Sequence, residues 1–295
     1  MANFRRDLYP FISSYLKLDG IALHYLDEGK GDPVIMLHGN PTWSFFYRNL
    51  VLGLRDNCRT IAPDHIGCGL SDKPADGRYE YYLDRRVKDL ECLIDHLKLE
   101  RRITLVMHDW GGMIGMAYAV RHPERIGRLV LLNTAAFHLP PTKSLPPSLW
   151  LCRNTSLNDF LIRRSGLFCR LVTRWGCCHP MSERVREGYL SPHSHGENRL
   201  AHLRFVQDIP LQPQDRSYSL VTEVQEGIVL FHQTPTLILW GEKDFVFDHH
   251  FLAVWEKLLP DAEVHRFSDA GHLVLEDKGE EILPIIRRFF KQHPV

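Results

Sequence analysis

Short apolar runs recur along this chain and alternate with stretches of helical spacing. Residues 14–18 and 21–28 flank Asp19-Gly20, a turn dipeptide that predicts a β-hairpin. Runs at 34–38, 59–63, 103–106, 128–133, 236–240 and 263–267 predict six further strands. Several are apolar throughout, as expected of strands buried on both faces. Leu83, Val87, Leu90, Leu93, Ile94 and Leu97 fall on one stripe of a helix over 81–97. Residues 113–120 predict a buried helix, His249-His250 begin another, and 280–292 predict a closing helix. Strands alternating with helices imply an α/β fold, a mostly parallel eight-stranded sheet covered by helices on both faces.

The rhythm breaks between residues 137 and 214. Prolines at 140, 141, 146 and 147 open this stretch, which then turns helical, aromatic and arginine-rich. It predicts a helical cap inserted over the sheet's C-terminal edge, with residues 1–136 and 215–295 forming the core. The cap carries ten Lys or Arg against five Asp or Glu, so about +5 there faces about −5 elsewhere in a chain of zero formal charge. That excess marks a solvated face, or else an anionic partner or membrane surface. Within residues 161–178, Arg163, Arg164, Arg170 and Arg174 argue against a membrane helix. The apolar residues there (Ile162, Leu167, Phe168, Leu171, Val172 and Trp175) pack the cap on the core, or line a pocket or interface.

Lys plus Arg equals Asp plus Glu, so nothing global suggests a nucleic-acid partner. Residues 1–10 carry Arg5, Arg6 and Asp7 where a signal peptide needs an apolar core, and no run is long enough to span a membrane. Seven cysteines, an odd number, favour reduced thiols and a cytoplasmic location. Cys177-Cys178-His179 has no second matching pair nearby, which favours free thiols over a metal site. A homo-oligomer stays open.

The chemistry centres on Met107-His108-Asp109-Trp110-Gly111-Gly112, between the 103–106 strand and the helix that follows. A sharp strand-to-helix turn is the nucleophile elbow of α/β-hydrolases, with Asp109 where serine is usual. A carboxylate nucleophile attacks alkyl carbon and leaves an ester on the enzyme. The competing reading makes Asp109 a helix cap. His38-Gly39-Asn40-Pro41 follows the 34–38 strand, where this fold places an oxyanion-hole amide, so the backbone donors are Asn40 and Trp110. Their side chains add two neutral N–H donors, suited to a departing anion that needs no proton. A turn Asn and a core Trp would explain the same residues without chemistry. Asp244 follows the 236–240 strand, and His272 follows the 263–267 strand. Nucleophile, acid, histidine is the α/β-hydrolase chain order, making His272 the base and Asp244 its orienting acid. Asp248 and Asp269 compete for the acid role, while His249, His250 and His265 are expected to serve structure.

With these residues the chain resembles the haloalkane dehalogenases from about Tyr15 to Phe290. The resemblance implies Asp109 as nucleophile, His272 as base, Asp244 as acid, and Asn40 and Trp110 as halide-binding residues. It also implies a small apolar substrate, water and halide as partners, and neither metal nor organic cofactor. Other subfamilies place a Glu after the 129–132 strand, where this chain has Asn133-Thr134-Ala135-Ala136. The motifs also resemble the β-lactone decarboxylases of long-chain olefin synthesis, which share the five residues. Asp64-His65-Ile66-Gly67 and the stretch from Asp244 to His250 look much like theirs. Dehalogenation is therefore the first expectation, with β-lactone decarboxylation as its alternative. Epoxide hydrolases resemble the chain less, since they use two cap tyrosines and only Tyr189 lies between 137 and 214. A luciferase-like oxygenation and a non-catalytic binding protein stand further off.

Overall fold

The computed structural model describes residues 7–295; residues 1–6, with Arg5 and Arg6, lie outside the described part. Eight strands build one sheet: β1 (Ser14–Leu18), β2 (Ile21–Glu28), β3 (Asp32–Leu37), β4 (Cys58–Pro63), β5 (Ile103–Asp109), β6 (Ile126–Thr134), β7 (Thr236–Gly241) and β8 (Glu263–Phe267). Their order across the sheet is β1-β2-β4-β3-β5-β6-β7-β8. β1 with β2 and β2 with β4 run antiparallel, and every later pairing is parallel. The predicted hairpin is present. Asp19 and Gly20 both take positive φ, at 51° and 81°, which suits the twist of a two-residue turn.

The helices are α1 (Arg48–Leu54), α2 (Leu83–Leu97), α3 (Trp110–Arg121), α4 (Pro147–Asn154), α5 (Leu167–Trp175), α6 (Glu183–Leu190), α7 (Leu200–Gln207), α8 (Tyr218–Gly227), α9 (His249–Leu258) and α10 (Val274–Gln292). Every residue of β5 and β6 is buried, as the apolar runs at their centres lead one to expect. Alternate side chains feed two cores. Ile35, Leu37, Leu105 and Leu129 face α2, α3, α8 and α9, while Val34, Met36, Val106 and Val130 face α1 and α10.

Several boundaries differ from expectation. The 81–97 helix begins at Leu83 because the buried Asp208 carboxylate accepts the Leu83 N–H at 2.8 Å. The closing helix begins at Val274, with Lys278 out of helical geometry and Pro284 inside it, so periodicity revealed only its second half. Residues 161–178 are broken into a wide turn over Asp159–Arg164 and α5, separated by Gly166 at φ 63°. Among the described residues no helix is long and apolar enough to cross a membrane.

The connection leaving β3 runs to β4 on one side, whereas that leaving the adjacent β5 runs to β6 on the other. Such a switch point opens a crevice at the carboxyl ends of the strands. The helices α4 to α7 enter the chain between β6 and β7, beside that crevice.

Candidate active site

Asp109 ends β5 at φ 51° and ψ −126°, a conformation that costs a non-glycine residue about 1–3 kcal/mol. The surroundings hold it there. A Cβ on Gly111 would overlap the Leu37 carbonyl, and one on Gly112 would overlap the Thr134 hydroxyl. That hydroxyl donates to the Asp109 carbonyl at 2.5 Å, tying the elbow to β6. The Asp109 side chain caps no helix. Instead Oδ1 accepts the Asn40 backbone N–H at 2.5 Å, and the Trp110 amide donates to the same carboxylate. Burial raises the Asp109 carboxyl above its ordinary range, opposed by His272 and these two amides. Both amides named in the sequence analysis thus converge on the Asp109 carboxylate.

The loops after β7 and β8 bring Asp244 and His272 to the elbow. His272 Nε2 lies 3.8 Å from Asp109 Oδ2, on the side of the carboxylate away from the Asn40 amide. Its Nδ1 lies 2.8 Å from Asp244 Oδ2, and Asp244 Oδ1 accepts the Val246 N–H at 2.7 Å. Burial by itself depresses the His272 imidazole, but Asp244 and then Asp109 outweigh it, leaving its pKa above the ordinary value. The rival acids are engaged elsewhere. Asp248 pairs with Lys143 at 2.6 Å and caps α9, and exposed Asp269 pairs with Lys278. His265 pairs with Glu263, away from the elbow. In the Cys177-Cys178-His179 stretch, the Cys178 and His179 amides donate to Asp277.

Sequence reasoning missed three supports. His202 on α7 accepts the Asn40 side-chain N–H at its carbonyl, 3.1 Å away, and its Nδ1 lies 2.8 Å from Asn40 Oδ1. This two-point clamp leaves one Asn40 amide N–H unused. Buried His108 bonds the His272 carbonyl through Nε2 at 2.8 Å, fixing the backbone that carries the His272 ring. Asn133 bonds Gly241 in both directions, at 2.9 and 2.8 Å, and so anchors the turn leading to Asp244. All three bridge residues far apart in the chain, and no local pattern could have revealed them.

Asn40, Asp109, Trp110 and His272 open onto one cavity of about 530 Å³. The rest of its wall is almost wholly apolar, with Phe137, Leu149, Phe168, Leu171, Val206 and Phe247 among the contributors. The Trp110 indole belongs to the cavity wall beside Asn40 and Asp109. A buried carboxylate, two neutral donors and an imidazole thus face an apolar chamber. Such a set can attack alkyl carbon, stabilise an expelled anion, and hold the oxyanion of an ester under hydrolysis.

Comparison with known proteins gives this geometry its context. The model of the alpha/beta hydrolase fold family matches residues 32–152 and 166–279. A cis-3-alkyl-4-alkyloxetan-2-one decarboxylase from Shewanella oneidensis is 53% identical over 97% of this chain and 90% of its own length. Haloalkane dehalogenase 2 from Mycobacterium bovis is 32% identical, covering 96% of both chains. A solved haloalkane dehalogenase from Agrobacterium tumefaciens superposes with a TM-score of 0.84 at 23% identity, over 95% of this chain and 96% of its own, which speaks to fold. With its family model spanning most of the sequence and its relatives matched almost end to end, the chain belongs to the alpha/beta hydrolase fold family.

Proposed function

We propose that this chain decarboxylates β-lactones bearing two alkyl chains, releasing an alkene and carbon dioxide. The similarity to the Shewanella decarboxylase carries the reading, at 53% identity against 32% for the dehalogenase. It reverses the order of the two expectations drawn from the sequence, since both chemistries draw on the same five residues. The apolar cavity supports it, because two alkyl chains need an apolar chamber around the reacting ring. Residues 137–214 act as the cap that roofs this chamber.

In this reaction Asp109 Oδ2 attacks the ring carbon bonded to the ring oxygen. The carbon–oxygen bond breaks, leaving an ester on Asp109 and a carboxylate on the neighbouring carbon. Trp110 Nε1–H and the free Asn40 amide N–H receive that carboxylate as its charge develops. The carboxylate then departs as carbon dioxide. Its bonding pair forms the alkene and expels the Asp109 carboxylate, restoring the enzyme. No water is consumed and no net proton moves. His272, held in place by Asp244, favours the departing Asp109 carboxylate when protonated, consistent with its raised pKa.

Hydrolytic dehalogenation is the second reading, favoured by the two neutral donors beside the nucleophile. Asp109 would displace halide, and His272 would deprotonate a water that attacks the Asp109 carboxyl carbon. The amides of Asn40 and Trp110 would then hold the oxyanion on Oδ1, where Asn40 already donates. Assaying a long-chain cis-β-lactone and a bromoalkane in parallel tests the order of these readings. Alkene and carbon dioxide should appear from the lactone and vanish in Asp109→Ala, with its circular dichroism unchanged. Bromide release without alkene would overturn the decarboxylase reading.

A further inference from the structure

Large apolar side chains reach solvent in one region of the described surface far more than elsewhere. Trp150, Leu151, Leu157, Phe160, Leu167 and Trp175 come from α4, α5 and the segment between them, and Phe245 from the loop after β7. Trp175 is 67% exposed and Phe160 58%. A lone exposed leucine means little, but a cluster this large marks a surface that is covered in use. Leu151, Leu167, Trp175 and Phe245 also line the 530 Å³ cavity, so the chamber opens through this patch.

The charges beside the patch say what covers it. On α5 the buried face is Cys169, Val172 and Thr173. Helical spacing puts Leu167, Leu171 and Trp175 on one outer strip, with Arg170 and Arg174 alongside. Both arginines are exposed, and neither has an ion-pair partner among the described residues, whereas Arg163 and Arg164 share Asp159. Exposed aromatic and aliphatic side chains flanked by unpaired guanidiniums match the boundary between lipid headgroups and acyl chains, where rings sit in the interface and arginines reach phosphates.

We propose that this face docks on an anionic phospholipid bilayer. Trp150, Phe160 and Trp175 enter the headgroup boundary, Arg170 and Arg174 meet lipid phosphates, and the cavity mouth opens toward the acyl layer. Docking rests on the surface itself. Entry of substrate by this route rests on the long-alkyl reading above, since such a molecule dissolves in the bilayer rather than in water.

The full chain should co-sediment with phosphatidylcholine vesicles containing phosphatidylglycerol, and much less with phosphatidylcholine alone. Added salt should weaken the association. Arg170→Gln with Arg174→Gln should lower partitioning by roughly thirtyfold, about fivefold per arginine. Phe160→Ser should also release the protein from vesicles. Neither variant touches the cavity lining, so turnover of a detergent-dispersed substrate should match the parent, which also checks folding. Binding to neither vesicle would overturn the proposal, as would equal binding to both that ignores the arginines. A stable dimer dissociated by Phe160→Ser, with no vesicle binding, would assign the patch to a second copy instead. If no substrate is turned over yet vesicle binding follows the arginines, the reaction assignment fails while the docking stands.

Discussion

Asn40→Ala separates the two chemistries of this site. The substitution spares the backbone N–H that Asp109 accepts at 2.5 Å, so this main-chain donor survives. It removes the side-chain amide. One N–H of that amide already serves the His202 carbonyl at 3.1 Å, so the cavity loses a single donor and keeps the Trp110 indole. Loss of one such donor in an enclosed site costs on the order of 3 kcal/mol, about a hundredfold in rate. A bare bromide is left with only the Trp110 indole in this apolar chamber and should suffer the full loss. A ring-opened carboxylate stays tethered to the ester and keeps a second oxygen for Trp110, so its loss should be several-fold smaller. The variant should also be less stable, because the buried His202 ring nitrogen loses its partner, at about 1–3 kcal/mol. Bromide and alkene release from matched enzyme samples, with Tm recorded alongside, give all three quantities. Equal losses on both substrates would refute the argument and leave Asn40 as a loop-shaping residue clamped by His202.

His272→Phe should stop ester hydrolysis after alkylation, so exposure to a bromoalkane that the parent turns over should add the alkyl mass to the intact protein; an inactive variant without adduct would reject His272 as the base. On the lactone, where no water is activated, the same variant should slow turnover rather than abolish it. Asp208 supplies a pH prediction: burial raises its carboxyl from 3.8 to about 6. The folded state therefore holds this proton more tightly than the unfolded chain, and stability from it, fully present below pH 3.8, is lost as pH rises through about 6. Asp208→Asn should flatten that decline, by up to about 3 kcal/mol across the window, and unfolding curves of unchanged slope with pH would contradict the assignment.

Much of the fold was legible because burial on both faces leaves an unmistakable sequence trace. β5 and β6 read as strands because each of their residues is buried, and α2 because its apolar stripe repeats with the helical turn. Helix α1, helix α8 and the start of α10 were missed. The first is seven residues long, and the last is broken at Lys278, so neither presents enough periodic positions. The elbow could be anticipated because its constraint is local: Gly111 and Gly112 follow Asp109 directly and leave room for β3 and β6.

The amino-acid sequence by itself determined the strand-and-helix alternation, the carboxylate at the elbow, and the chain order of Asp109, Asp244 and His272. Those are matters of periodicity, backbone sterics and residue chemistry, which act over a few neighbours. Only the tertiary structure supplied the geometry behind the sequence's preference for Asp244 over Asp248 and Asp269: the first carboxylate lies 2.8 Å from His272, and the other two pair with lysines. It likewise supplied the His202 clamp on Asn40, 162 residues away in the chain, and the apolar mouth beside Arg170 and Arg174. Contacts of that range are set by how the helices pack over the sheet, and packing leaves no local signature in the residues it joins.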